Sequence, residues 1–260
     1  VTPPENPFAA HSPTLLALFR WYLHWFFWRR FSAVRLSRGH IPDDPVGRPM
    51  VVFTNHPSWW DPALMMLVAP KLFPARRGFG PMDEAALAKY GMFRRFGVFG
   101  VARGRRGATQ FLRAATAGLA EQRTALWITA EGDFSDPRRR PLVLRPGLAH
   151  VARHVPDAVF VPVAFDYVFW NEARPEALLR FGPPVQVAGL GMAAAQAALT
   201  AALTETLDAL ADDAATRDPG RFVTLLHGAG GTSAIYDTWR RARALRHGGR
   251  FDPRHEARRS

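Results

Sequence analysis

The block Asn55-His56-Pro57-Ser58-Trp59-Trp60-Asp61 places an imidazole and a carboxylate five residues apart, directly after the apolar run Met50–Thr54. A histidine beside an aspartate is a competent general base. The carboxylate fixes the imidazole tautomer and stabilises the imidazolium formed when a proton is removed. On a regular helix, residues five apart sit roughly 140° from each other around the axis. The pair therefore works only if His56 lies in a turn and Asp61 just inside the helix that follows. Pro57 and Pro62 favour such a break. The same spacing recurs at His247 and Asp252 in a basic tail, where it is read as accidental, so the setting carries the signal rather than the spacing. Ser58 invites a nucleophile reading, but no Gly-x-Ser-x-Gly elbow surrounds it. Taken alone, the block also fits a structural histidine that caps the turn.

Loops beyond the carboxyl ends of strands are where α/β proteins hold ligands, so the strands decide whether this block is a site. Short apolar runs predict strands at Met50–Thr54, Arg77–Pro81, Phe99–Ala102, Ala125–Thr129 and Ala158–Phe165. Helical spacing predicts helices over Ala63–Val68, Glu84–Arg95, Ala108–Gln122, Leu148–His154 and Met192–Ala215, and Leu178–Phe181 with Val185–Val187 predicts a final hairpin. The alternation implies an α/β fold: a single domain with a central mixed, largely parallel sheet flanked by helices.

Ahead of it, Leu15–Phe31 is rich in aromatic residues, with Trp21, Trp25 and Trp28 on one helical stripe. The stretch is short for a spanning helix and carries Arg20 inside. Tryptophan and tyrosine favour the headgroup boundary, so an amphipathic aromatic helix lying in a membrane interface is expected. A core helix packed on the domain is the alternative. The expected organisation is a lead-in with this helix over 1–40, an α/β domain over 41–215 and a basic extension over 216–260. Within the extension, the glycine-rich segment 227–233 reads as a turn before a helix around Tyr236–Leu245.

The 260 residues carry 34 basic and 22 acidic side chains, a formal net charge of +12. Lys71 and Lys89 are the only lysines, so arginine supplies nearly all of the positive charge. A 48% hydrophobic and 22% charged composition excludes an intrinsically disordered chain. The absence of cysteine excludes disulfides, thiolate metal sites and a cysteine nucleophile. The charge excess asks for an anionic partner, namely nucleic acid, an anionic membrane or phosphorylated substrates. GC-rich codon usage explains an arginine excess equally well.

The block Asn55–Asp61 closely resembles motif I (N-H-x-S-x-x-D) of the glycerolipid acyltransferases, the PlsC-like lysophospholipid acyltransferase family. Gly97 followed six residues later by Arg103 resembles motif II. Glu131-Gly132-Asp133-Phe134-Ser135 stands in the place of motif III, usually E-G-T-R-S. Val161-Pro162-Val163 resembles motif IV, and Arg145-Pro146-Gly147 resembles the basic step that leads into the next helix. The resemblance spans roughly residues 50–190, with the blocks in the family's order.

It implies acyl transfer from acyl-CoA or acyl-carrier protein to a lipid hydroxyl, with His56 as base and Asp61 orienting it. It further implies acceptor binding by Arg103, Glu131, Gly132 and Arg145, and supporting roles for Asn55, Ser58 and Pro162. No metal or cofactor is implied beyond the thioester co-substrate. The implied partners are the thioester, the lipid acceptor and an anionic membrane surface rather than nucleic acid, and the implied place is the cytoplasmic face of a membrane as a peripheral or monotopic protein. Asp133 and Phe134 depart from the family's Thr-Arg, exchanging a cation for a carboxylate and an aromatic ring. They become candidates for acceptor selectivity. The acceptor is then either 1-acylglycerol-3-phosphate or a glycolipid or other hydroxylated lipid. A non-catalytic lipid-binding relative, and less favourably a nucleic-acid-binding protein lacking zinc-finger, RRM or KH signatures, are the alternatives.

Overall fold

The computed structural model describes residues 6–229 apart from 41, 42 and 46, together with residue 246. The helix expected around Tyr236–Leu245, the His247…Asp252 pair and most of the glycine-rich turn lie outside the described residues.

Ser12 opens the first helix by accepting a hydrogen bond from the Leu15 amide, and Pro13 follows where a helix has no use for an N–H. This helix, α1 (Pro13–Arg30), buries Leu16, Leu23 and Phe27 and leaves Trp21, Trp25 and Trp28 exposed. It thus packs on the domain by one side while its tryptophan stripe faces outward. Among the described residues, no helix is long and apolar enough to cross a membrane.

The chain continues through β1 (Ala33–Ser37), β2 (Met50–Thr54), α2 (Asp61–Leu72), β3 (Arg77–Asp83) and α3 (Glu84–Lys89). A 3-10 turn over Gly91–Phe96 leads into β4 (Val98–Val101), α4 (Gly104–Ala120), β5 (Thr124–Thr129), α5 (Gly147–His154), β6 (Val159–Val168) and β7 (Glu176–Phe181). The last of the described elements are α6 (Met192–Ala215), a 3-10 turn at Pro219–Arg221 and β8 (Phe222–His227).

The eight strands among the described residues form one sheet in the order β4-β3-β5-β2-β6-β7-β1-β8. The pairs β4–β3, β3–β5, β5–β2, β2–β6 and β7–β1 are parallel, while β6–β7 and β1–β8 are antiparallel. The sheet is therefore mixed and largely parallel, as the alternation of runs implied. Side chains alternate between its faces. Val51 and Phe53 of β2 join the core beneath α4, α5 and α6, whereas Met50 and Val52 join the core beneath α1 and α2.

Two strands fall outside the expected set, and both matter for the boundaries. β1 comes from the segment assigned to the lead-in and β8 from the segment assigned to the extension, so the sheet draws on all three expected regions. The apolar run of β1 is interrupted by Arg35, which is nevertheless buried. Its guanidinium pairs with Glu176 of β7 and donates to the Thr224 hydroxyl of β8 at 3.0 Å. Burial of a charge is tolerated when it is paired in this way. The expected hairpin also differs. β7 lies between β6 and β1, and Val185 makes only an isolated bridge to Phe160.

Candidate active site

The strands β4, β3, β5, β2 and β6 run in one direction, so their carboxyl ends share one edge of the sheet. The loop Asn55–Trp60 leaves β2 near the middle of that edge. Asn55 is fully buried and extends the ladder with its side chain: Nδ2 donates to the Phe165 carbonyl at 2.9 Å and Oδ1 accepts from the Phe165 amide at 2.8 Å. The end of β2 is thereby fixed to β6 before the chain turns.

His56 sits in the turn and Asp61 is the first residue of α2, with Pro62 in the first helical turn. The broken geometry that the pair needs is therefore present. His56 Nδ1 lies 2.7 Å from Asp61 Oδ2. The Ser58 amide donates to the same oxygen at 3.1 Å. The Tyr167 hydroxyl of β6 donates to Oδ1 at 2.7 Å. Asp61 is buried, and these donors replace the water that a buried carboxylate would otherwise lack. The positive end of α2 favours a negative charge at the same position. With Nδ1–H given to Asp61, Nε2 of His56 is left as an acceptor of protons. The Ser58 hydroxyl accepts from the Trp60 amide at 3.3 Å, which holds the turn.

The loop after β5 clamps His56 from the other side. The His56 amide donates to Glu131 Oε2 at 3.1 Å, the Ser135 amide donates to the His56 carbonyl at 3.0 Å, and the Ser135 hydroxyl donates to Glu131 Oε1. Glu131 thus holds the His56 backbone through Oε2 and Ser135, which also bonds that backbone, through Oε1. Gly132 has φ +75°, and a Cβ there would meet the Arg145 side chain at 2.1 Å. Only glycine suits both demands.

Arg145 packs across this glycine, donating from Nε to the Glu131 carbonyl at 3.3 Å and from Nη2 to Asp133 Oδ2 at 2.7 Å. The Phe134 ring, 64% exposed, lies 4.3 Å from the His56 ring, centre to centre, at an interplanar angle of 38°. Pro162 is buried in β6 opposite Phe53 of β2.

Arg103 is not brought to the pair. It begins α4 after β4, three strand spacings or about 14 Å along the same edge from β2. Its side chain is almost wholly exposed, and its Nε lies 3.8 Å from Asp83. Gly97, at the other end of that block, adopts φ +85°, and a Cβ would stand 2.8 Å from the Gly78 carbonyl, so the turn into β4 requires glycine.

Three contributions were not visible in the sequence reading. Tyr167 was passed over, although strand alternation puts it on the face of Val163 and Phe165, towards the Asp61 helix. Burial, followed by the charge of Asp61, holds its phenol well above the usual range, so it remains a donor. Beside it, burial raises the Asp166 carboxyl, an effect partly opposed by the Tyr167 amide and by Arg138. Trp60, the third contribution, packs against Phe26, Phe27 and Phe31 at ring distances of 5.2, 5.2 and 5.0 Å, and Trp59 stacks on it at 4.4 Å. The motif I loop is therefore braced by α1 and its carboxyl-terminal flank. Among the described residues, no group of His, Asp and Glu side chains could hold a metal ion.

The sequence model of the Acyltransferase family matches residues 18–166, from within α1 to near the end of β6. The chain belongs to that family. Its fold is also that of a solved relative, the 1-acyl-sn-glycerophosphate (LPA) acyltransferase PlsC from Thermotoga maritima. The two superpose with a TM-score of 0.50 at 17% sequence identity, over 76% of this chain and 78% of that one. At that identity the likeness concerns the fold. A comparison with curated proteins gives no match. Within the family's span fall His56, Asp61 and the Glu131 clamp, while Tyr167 lies one residue beyond its end.

Proposed function

We propose that this protein transfers a fatty acyl group from an acyl thioester, acyl-CoA or acyl-carrier protein, to a lipid hydroxyl. The observation that carries the reading is the 2.7 Å contact between His56 Nδ1 and a buried, fully hydrogen-bonded Asp61 at the carboxyl edge of the sheet. Nε2 of His56 takes the proton of the acceptor hydroxyl as its oxygen attacks the thioester carbonyl. Collapse of the tetrahedral adduct expels the thiolate, which takes the same proton back from His56. An ester and a free thiol result, and the imidazole returns to its starting state. No acyl-enzyme is required, since a thioester is already an activated electrophile and the protein supplies base and positioning.

The surroundings of His56 favour an acceptor hydroxyl without a neighbouring phosphomonoester. The Phe134 ring covers one side of the imidazole, and the Arg145 guanidinium is matched by Asp133. A phosphate approaching here meets an aromatic face and a carboxylate instead of an unopposed cation. A glycolipid or another neutral hydroxylated lipid suits that lining. The exposed stripe of Trp21, Trp25 and Trp28 supports peripheral attachment to a membrane surface, where such an acceptor resides.

The test is a matrix of acyl-CoA and acyl-carrier-protein donors against phosphorylated and neutral lipid acceptors, run beside His56→Ala. Transfer to a neutral acceptor that falls by about 10²–10⁴-fold in the variant is expected for loss of a general base. Transfer that survives the substitution would remove His56 from the mechanism.

A further inference from the structure

We infer that Tyr167 is a positioning residue of the catalytic pair, acting through Asp61 to fix the direction and the effective charge of the carboxylate that His56 works against. The inference rests on the acyl-transfer reading above only for its kinetic consequence; the contact itself does not depend on it.

Asp61 Oδ2 faces His56 and the Ser58 amide, both on the short segment that ends in α2. Oδ1 points the opposite way, and its donor comes from β6, 106 residues further along the chain. A carboxylate held at one oxygen can still rotate about its Cβ–Cγ bond, whereas one held at both is fixed in plane. The hydroxyl of Tyr167 supplies the second restraint. It also draws charge from Oδ1, because a hydrogen bond to an ionised acceptor is strong and polarising. β6 is itself fixed to the catalytic loop by the two Asn55 bonds at Phe165, so Tyr167 follows directly from the anchored residue pair. The ring is clamped from above by Phe31 at 5.9 Å.

Several charged or titratable groups surround the pair. Glu131 contacts the His56 amide from the loop after β5, and Asp166 turns back to the Tyr167 amide at 2.8 Å. Arg138 stands 3.8 Å from Asp166. Exchanging Tyr167 for phenylalanine leaves each of these in place and removes one oxygen. Without that donor the Asp61 anion is less neutralised, and the His56–Asp61 pair takes a proton more readily. A more acidic phenol has the opposite effect.

The experiment compares the full-length wild-type protein with Tyr167→Phe and with a protein carrying 3-fluorotyrosine at position 167. The His56 imidazole is followed by nitrogen NMR against pH, and acyl transfer against pH is measured in parallel with the donor and acceptor that give the highest wild-type rate. The titration midpoint is expected to move up in Tyr167→Phe and down in the fluorotyrosine protein. The acid limb of the rate profile should follow it. At optimal pH, kcat of Tyr167→Phe is expected to fall about tenfold, the effect of losing one charge-assisted hydrogen bond, with KM for the thioester nearly unchanged.

A midpoint unmoved in both proteins, or moved the same way in both, overturns the assignment. Fluorotyrosine retains the ring and hydroxyl, so this arm stands even if Tyr167→Phe fails to fold. Wild-type protein that transfers no acyl group while its midpoints move in opposite directions defeats the acyl-transfer reading and upholds the role of Tyr167.

Discussion

The two loops that meet at His56 are built on different principles. The loop after β2 is held by buried groups: Asn55 and Asp61 are both inaccessible to water, and every polar atom that directs the imidazole has a named donor or acceptor. The loop after β5 begins in the same manner at Glu131, then opens to solvent at Asp133, Phe134 and Arg145. The buried part orients one base and tolerates little change. The exposed part presents a surface whose chemistry can be exchanged without disturbing the frame. On the proposed acyl-transfer reading, the first loop sets the reaction type and the exposed side chains of the second set the choice of acceptor.

The sharpest way to break this contrast is at Asp61. Asp61→Asn keeps the volume but takes the charge from His56. Activity should drop by about 10²-fold or more, read as kcat/KM across pH. Next comes Asn55→Ala, which leaves the Phe165 amide and carbonyl without partners inside the core. A stability loss of about 2–4 kcal/mol is expected for the two orphaned groups, measured by urea unfolding.

On the exposed side, Phe134→Arg should leave stability within about 0.5 kcal/mol and shift the ratio of kcat/KM for phosphorylated over neutral acceptors upward by about tenfold, a change worth one good charge-assisted contact. An unchanged ratio would separate Phe134 from acceptor choice.

The smallest effect belongs to Asp166→Asn. Burial raises the Asp166 carboxyl in the folded protein, so folded chains bind its proton more tightly than unfolded ones. The wild-type protein accordingly loses stability as pH rises from the unfolded carboxylate range through the raised folded value. Asparagine can accept the same Tyr167 amide bond and cannot ionise. The variant should melt slightly higher than wild type at neutral pH, with the gap closing as pH falls into the carboxylate range.

The sequence carried the Asn55–Asp61 block because its signals are local. An apolar run, a turn with two prolines and a carboxylate five residues on are all contained in Met50–Pro62, and the structure places His56 and Asp61 together as that reading required. Glu131 was equally visible by its position at the end of β5, but its use was not. A carboxylate that accepts from a backbone amide 75 residues earlier has no sequence signature. Tyr167 escaped for the same reason, since the neighbour relation between β6 and β2 depends on strand order. β1 was lost to a different effect. Arg35 looks like a surface residue until Glu176 and Thr224 are brought beside it. Arg103 lies on the same edge of the sheet as His56, with two strands between β4 and β2.

The position of β1 has a consequence for how the protein is made. Its neighbours in the sheet are β7 and β8, and the Arg35–Glu176 pair joins residues 141 positions apart. At roughly 5–20 residues per second of synthesis, an emerging β1 waits on the order of ten seconds or more for its first partner strand. Within that interval the residues that pack on α1, Trp60, Phe93 and Phe96, are already made, whereas Arg35 is without Glu176 and Thr224. Until β7 arrives, β1 stands as an unpaired edge with its buried cation unmatched.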